Sequence, residues 1–249
     1  MDFQKQIEAF QNLIDSCQNI VFFGGAGVST ESGVPDFRSK DGLYNQHDVK
    51  FDKFTPEYLL SHSCLQYQPE VFFEFYRQKM DARSVEPNIT HIRLAQLEAA
   101  GKNLAVVTQN IDGLHQKAGS KTVYEVHGTT LRNYCASCGK IYSADHLYES
   151  KERIPHCECG GVIRPDVTLY EESLPDAAWR GAMSALQRAE LMIVAGTSLT
   201  VYPAAGMLDY FRGEHLVVVN RDPLPGLNYH HPELVFTCSM GKVFEAIHA

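Results

Sequence analysis

No stretch of this chain is apolar for long enough to cross a bilayer. The longest apolar runs, at residues 191–196 and 216–220, fall far short of the roughly 20 residues a membrane helix needs. An excess of positive charge is missing as well: 22 Lys+Arg against 30 Asp+Glu leave a formal net charge of −8. DNA and anionic membranes need a net basic face, so no membrane and no direct nucleic acid is expected as a main partner. The first 17 residues are amphipathic, carry Asp2, Glu8 and Asp15, and lack a basic segment followed by an apolar run. They do not read as a signal peptide, and the expected location is cytoplasmic. Internal repeats and low-complexity segments are absent too. What is present is an ordinary globular mixture, 44% hydrophobic and 21% charged over 249 residues, enough for one sizeable core.

Short apolar runs alternate with amphipathic stretches. Strands are expected at residues 19–23, 104–108, 123–126, 191–195, 216–220 and 234–236, each apolar on both faces as in buried parallel strands. Helices are expected at 3–16, 88–100, 176–189, 203–211 and 241–247. This alternation predicts an α/β fold with a doubly wound parallel sheet. Two segments break the rhythm. Residues 35–85 hold a polar loop and two helical patterns, 56–61 and 69–83; residues 135–160 hold four cysteines. Both read as modules inserted into a single domain spanning 1–249, at strand ends where ligand crevices form.

Seven cysteines in a cytosolic chain do not suggest a disulfide framework. Cys135 and Cys138 form a C-x-x-C pair, and Cys157 and Cys159 a C-x-C pair, each followed by glycine. Four thiolates around Zn²⁺ make a closed structural site with no open position for substrate. A redox C-x-x-C or four unrelated thiols are the alternatives, and His146 or His156 could replace a thiolate. The clustered pairs favour zinc. Cys17, Cys64 and Cys238 read as core thiols.

The first strand ends in Phe23-Gly24-Gly25-Ala26-Gly27-Val28-Ser29. A glycine-rich turn there can cradle a pyrophosphate on backbone N–H groups, although a tight turn without a ligand reads the same way. A dehydrogenase fingerprint also needs an acidic second-strand end about 20 residues on. The chain runs instead into the loop Ser32-Gly33-Val34-Pro35-Asp36-Phe37-Arg38, so hydride transfer is disfavoured.

These two segments, with Thr108-Gln109-Asn110-Ile111-Asp112-Gly113-Leu114-His115, Glu125-Val126-His127-Gly128, Gly196-Thr197-Ser198 and the cysteine quartet, resemble the sirtuin signature in order and distance. The resemblance implies a bacterial-type NAD-dependent protein lysine deacetylase, with a Rossmann-like domain carrying zinc-ribbon and helical inserts. It implies that the acyl oxygen displaces nicotinamide, that a base deprotonates a ribose hydroxyl, and that free lysine and O-acetyl-ADP-ribose leave. His127 is the implied base, a role that suits an imidazole titrating near neutral pH, and Asn110 acts beside it. Asp112 would accept from the nicotinamide carboxamide, with Ile111 contributing backbone; a helix cap is its alternative role. Gln109 and Asn110 would meet the nicotinamide ribose. Gly25, Ala26, Gly27, Thr30 and Asp36 would line the NAD site. Phe37 would screen the ribose carbon and Arg38 would pair with phosphate or ribose. Gly196, Thr197 and Ser198 would serve phosphate, Asn220 the adenosine ribose, and a residue near Met240 the adenine. His115 is given packing or hydrogen bonding.

Relatives that prefer acidic acyl groups carry Tyr-x-x-Arg in the helical insert. The matching stretch here has Tyr76 but Lys79 in the arginine position. A lysine meets a carboxylate only as a point charge, so acetyl, or another neutral short acyl group, is favoured over succinyl. Acetylated protein lysines are the expected partners, adding as a strand between residues 168–172 and 200–203. A monomer is expected. Mono-ADP-ribosyl transfer to protein, removal of longer acyl groups, and a non-catalytic NAD or ADP-ribose sensor are the competing functions.

Overall fold

The computed structural model describes residues 2–37, 39, 42–46, 48–224, 227 and 231–249. From the N-terminus run α1 (Phe3–Ser16), β1 (Asn19–Gly24) and the single turn α2 (Gly27–Thr30). The helical insert follows, with α3 (Pro56–Leu59), α4 (His62–Tyr67) and α5 (Pro69–Lys79). Then come α6 (Ile89–Ala99), β2 (Asn103–Thr108), α7 (Leu114–Ala118) and β3 (Val123–Glu125). A second excursion holds β4 (Gly128–Cys135), β5 (Ile141–Ser143), α8 (Ala144–Tyr148) and β6 (Ile163–Val167). The chain closes with α9 (Asp176–Arg188), β7 (Leu191–Ala195), β8 (His215–Val219), β9 (Leu234–Phe236) and α10 (Met240–Ala246).

Six strands form one all-parallel sheet in the order β3-β2-β1-β7-β8-β9. Successive side chains of a strand point to opposite faces. Ile20, Phe22, Leu104, Val106, Leu191 and Ile193 enter one core layer with Phe10 of α1, Leu94 of α6 and Phe244 of α10. Val21, Phe23, Ala105, Val107, Met192 and Val194 enter the other, with Ala182 and Leu186 of α9. Helices cover both faces, which is why these strands read as unbroken apolar runs. The sheet is the expected doubly wound, Rossmann-like one. β4, β5 and β6 make a separate antiparallel sheet in the order β5-β4-β6.

Local deviations from the sequence reading have local causes. The stretch read as helix 56–61 stops at Leu59, because the Ser61 hydroxyl accepts from Cys64 N at 3.0 Å and starts a new helix, α4. The helix expected at 203–211 is a 3₁₀ segment, Ala204–Tyr210. Gly206, inside the segment, disfavours a regular α-helix there. Helix α5 ends at Lys79 rather than 83. No helix among the described residues is long and apolar enough to cross a membrane.

Candidate active site

The strand order reverses between β1 and β7, the two central neighbours of the sheet, which run parallel to each other. In open parallel sheets a crevice opens at the carboxyl ends of such strands. Here those ends carry Gly24-Gly25 and Ala195-Gly196, stitched by Gly25 N to Ala195 O (3.2 Å) and Gly27 N to Gly196 O (2.8 Å). The glycines permit the approach. A Cβ on Gly25 would sit 2.8 Å from Gly196 O, and one on Gly196, whose φ is +56°, would sit 2.6 Å from Val28 N. The crevice broadens into a cleft of about 1090 Å³, larger than the usual small-molecule pocket of about 300–1,000 Å³. The backbone N–H groups of Ala26 and Ser198, both on its lining, have no partner among the described residues. Unpaired amides at a glycine turn suit a pyrophosphate, so these residues fit a dinucleotide.

Behind the turn lies a buried polar network. Ser29 Oγ donates to Asp112 Oδ2 at 2.6 Å and accepts from Asn110 Nδ2 at 3.0 Å. Leu114 N donates to Asp112 Oδ1 at 2.9 Å. Burial pushes the Asp112 carboxyl above the ordinary aspartate range, and the Ser29 and Leu114 hydrogen bonds offset only part of that. Gln109 Nε2 donates to Thr197 Oγ1 (3.1 Å), and Thr197 N donates to Asn220 Oδ1 (3.1 Å). The ends of β2, β7 and β8 are thereby held in one frame.

His127 follows β3 at the cleft and is half-buried. Its Nδ1 lies 3.0 Å from Gln109 O. A carbonyl only accepts, so Nδ1 carries the proton of the neutral ring and Nε2 the lone pair, the tautomer a general base requires. Thr168 N donates to His127 O at 2.9 Å, bringing residues 167–172 to the opposite wall of the cleft. Phe37 packs edge-on against Tyr44, with ring centroids 5.5 Å apart. The Tyr44 hydroxyl meets the Tyr170 hydroxyl at 2.9 Å, so the loop after the glycine turn docks on that wall.

The four sulfurs of Cys135, Cys138, Cys157 and Cys159 all lie within 4.8 Å of one another. Cys135 and Cys159 are 3.5 Å apart, and Cys138 and Cys157 3.7 Å. A Zn–S bond of about 2.3 Å gives a tetrahedron edge of about 3.8 Å. The quartet therefore fits zinc. The Tyr142 hydroxyl donates to Cys157 Sγ at 3.0 Å, the kind of second contact that orients a metal thiolate.

Of the residues expected at the NAD site, Gly25, Ala26, Gly27, Thr30, Asp36, Phe37, Gln109, Asn110, Ile111, His127, Gly196, Thr197, Ser198, Asn220 and Met240 line this one cleft. Asp112 does not: it stands behind the lining, with both oxygens engaged. Arg38 lies outside the described residues. His115 is buried against Phe22 and His91, and neither ring nitrogen finds a partner among the described residues. Burial holds its pKa well below the ordinary histidine value. Tyr76 lines the cleft, fully buried and stacked with Phe72 and Tyr148. The Lys79 ammonium points instead to Gln46 (3.4 Å) and Asp48 (4.0 Å). Ser29 and Glu31 were not singled out from sequence. Glu31 Oε2 accepts from Gly241 N at 2.8 Å and brings the start of α10 to the turn. Only Ser29's place at the end of the glycine motif hinted at its part.

The topology, the glycine crevice and the imidazole facing it define an α/β protein built around a dinucleotide cleft. Comparison with known proteins gives the family. The Sir2 family model matches residues 25–203. An NAD-dependent protein deacetylase of Clostridium perfringens is 51% identical over 241 residues, 96% of each chain. One of Cutibacterium acnes is 47% identical, again over 96% of each. A Sir2 structure with deacetylated p53 peptide and 3′-O-acetyl-ADP-ribose superposes at TM-score 0.86 and 34% identity, covering 96% of both chains. Another, with p53 peptide and NAD⁺, gives TM-score 0.82 and 35% identity over 96% of this chain and 95% of that one. The chain belongs to the Sir2 family.

Proposed function

We propose that this chain is an NAD-dependent protein-lysine deacetylase. One observation carries the reading: His127, its tautomer set by the Gln109 carbonyl, shares a single cleft with the glycine turn and Asn110. The relatives named above act as NAD-dependent deacetylases, and the similar structures hold peptide, NAD⁺ and acetyl-ADP-ribose. When bound, NAD supplies an electrophilic ribose carbon with nicotinamide as leaving group. The residues do the rest. Gly25, Ala26, Gly27, Thr30 and Asp36 line the dinucleotide site; Gly196, Thr197 and Ser198 serve its phosphates; Phe37 screens the ribose carbon and Arg38 pairs with phosphate or ribose; Asn220 and Met240 hold the adenosine end. Asn110, Gln109 and Ile111 orient the nicotinamide half. Asp112 acts from behind by fixing Ser29 and Asn110. His127 Nε2 takes the ribose hydroxyl proton. Cys135, Cys138, Cys157 and Cys159 hold a structural zinc.

Acetyl is the preferred acyl group, because the Lys79 charge is turned to Asp48 and away from the cleft. The unit spans 1–249, with the helical insert at 35–85 and the zinc module at 135–160. It works as a cytoplasmic monomer on acetylated proteins, without nucleic acid. The test is mass spectrometry of an acyl-lysine peptide panel with and without NAD. The reading expects acetyl loss, nicotinamide and acetyl-ADP-ribose only with NAD. ADP-ribosylated protein without deacetylation would favour the transferase alternative and refute this one.

A further inference from the structure

The cleft wall at residues 167–172 belongs neither to the main sheet nor to a regular element beyond the end of β6. Such a segment needs anchors to hold one geometry, and one side chain supplies most of them. Glu172 Oε2 accepts from Leu169 N (3.0 Å) and from Arg164 Nη2 (2.9 Å), and Oε1 accepts from Arg164 Nη1. His62 Nδ1 of α4 lies 2.9 Å from Oε1. Arg164 is itself buried, 7% exposed. It also donates to Val167 O (3.0 Å) and lies over the Tyr134 ring. Arg164 pairs with Tyr134 across β6 and β4, one position from the Ile163–Cys135 pair. A continuous chain of contacts therefore runs from a zinc-binding cysteine to the cleft wall.

The neighbouring residue shows how firmly this wall is determined. Glu171 adopts φ +76°, which a non-glycine residue rarely holds. Its carboxylate accepts from Ser63 N (2.9 Å) and Ser63 Oγ (2.7 Å). Tyr170 exchanges backbone bonds with the insert, Tyr170 N to Leu60 O and His62 N to Tyr170 O, both 3.0 Å. At the other end, Thr168 N holds His127 O. Strain at Glu171 persists because both sides are tied down.

We propose that Glu172 is a positioning residue. It clamps the wall at 168–172 to the zinc module through Arg164 and to the helical insert through His62, and so fixes the face that receives the acetyl-lysine peptide. This rests on the deacetylase reading above. Among the described residues no hydrogen bond joins the glycine turn or the ends of β7 and β8 to Glu172 or Arg164. Tyr170, on which the Phe37–Tyr44 loop docks, keeps its own backbone bonds to Leu60 and His62, so the peptide half of the site depends on the clamp more than the NAD half does.

The test is Glu172→Gln in the zinc-loaded full chain. KM for an acetyl-lysine peptide should rise at least about ten-fold, while KM for NAD stays within about two-fold and zinc remains at about one per chain. Backbone hydrogen exchange at 168–172 should speed up. An unchanged peptide KM, or peptide and NAD KM rising together, overturns the proposal. If Glu172→Gln does not fold, Glu172→Leu with Arg164→Met removes both buried charges at once and leaves neither unpaired. The same KM split is expected there, and wild-type kinetics overturn the proposal. A wild type that does not deacetylate refutes the functional reading. The exchange measurement then judges the clamp alone, with unchanged exchange at 168–172 as the overturning result.

Discussion

Ser29→Ala probes the buried network at its centre. The change removes the donor to Asp112 Oδ2 and the acceptor for Asn110 Nδ2, all three side chains being buried. A hydrogen bond to a charged group contributes about 1.5–3 kcal/mol. At about 2–4 °C per kcal/mol for a chain of this length, Tm should fall by about 3–12 °C. The pH dependence gives a sharper readout. The Asp112 carboxyl already sits above its ordinary value through burial, and Ser29 is the strongest influence pulling it down. Without Ser29 the pKa rises further. A carboxyl raised in the folded state favours folding below its unfolded pKa and loses that contribution as pH rises through the folded pKa. The Tm gap between wild type and variant should therefore be wide at neutral pH and narrow toward pH 4. Calorimetry across that range, with KM for NAD at neutral pH, measures both. A variant with wild-type Tm and NAD affinity, or a gap that widens as pH falls, refutes the reasoning.

Cys135→Ala should lose the zinc, about one per chain, and Tm should drop by at least about 10 °C, because metal binding energy is folding energy; metal analysis and calorimetry check this, and a folded, fully metallated variant contradicts it. Acetyl-lysine peptides should be cleaved at least about ten-fold more efficiently than succinyl ones, since an unpaired carboxylate is costly to bury. Lys79→Ala should leave acetyl kcat/KM within about two-fold, and equal rates on both acyl groups in wild type would show a carboxylate partner that Lys79 does not supply. Burial pushes the Glu172 carboxyl up, but Arg164, His62 and Leu169 N outweigh it and hold it at about 2, against 4.5 ordinarily. Its contribution is present above about pH 4.5 and lost as pH falls toward 2. Acid unfolding of the zinc module should lose steepness in that window in Glu172→Gln, and identical acid titrations would contradict the assignment.

The parallel sheet was legible because both faces of β1, β2 and β7 are buried, so apolar runs needed no alternation to betray them. The cysteine quartet was legible because metal geometry constrains spacing. The glycine turn was legible because Gly25, Gly27 and Gly196 meet backbone where a Cβ cannot fit. What stayed hidden depends on contacts between distant residues. Ser29 and Asp112 are 83 positions apart, and nothing local says that this carboxylate meets that hydroxyl. Lys79 matches a position in a pattern, but its direction is set by Asp48, 31 residues earlier. Helix 56–61 ended early because a serine cap competed with continued helix, a contest of small energies that propensity alone does not settle.

The central claim is that His127 acts as the base after nicotinamide has left. Purified His127→Ala, incubated with acetyl-lysine peptide, NAD and labelled nicotinamide, separates the two stages. Deacetylation should fall by at least about 10²-fold, while exchange of labelled nicotinamide into NAD survives at a measurable rate. Deacetylation at the wild-type rate would contradict the account.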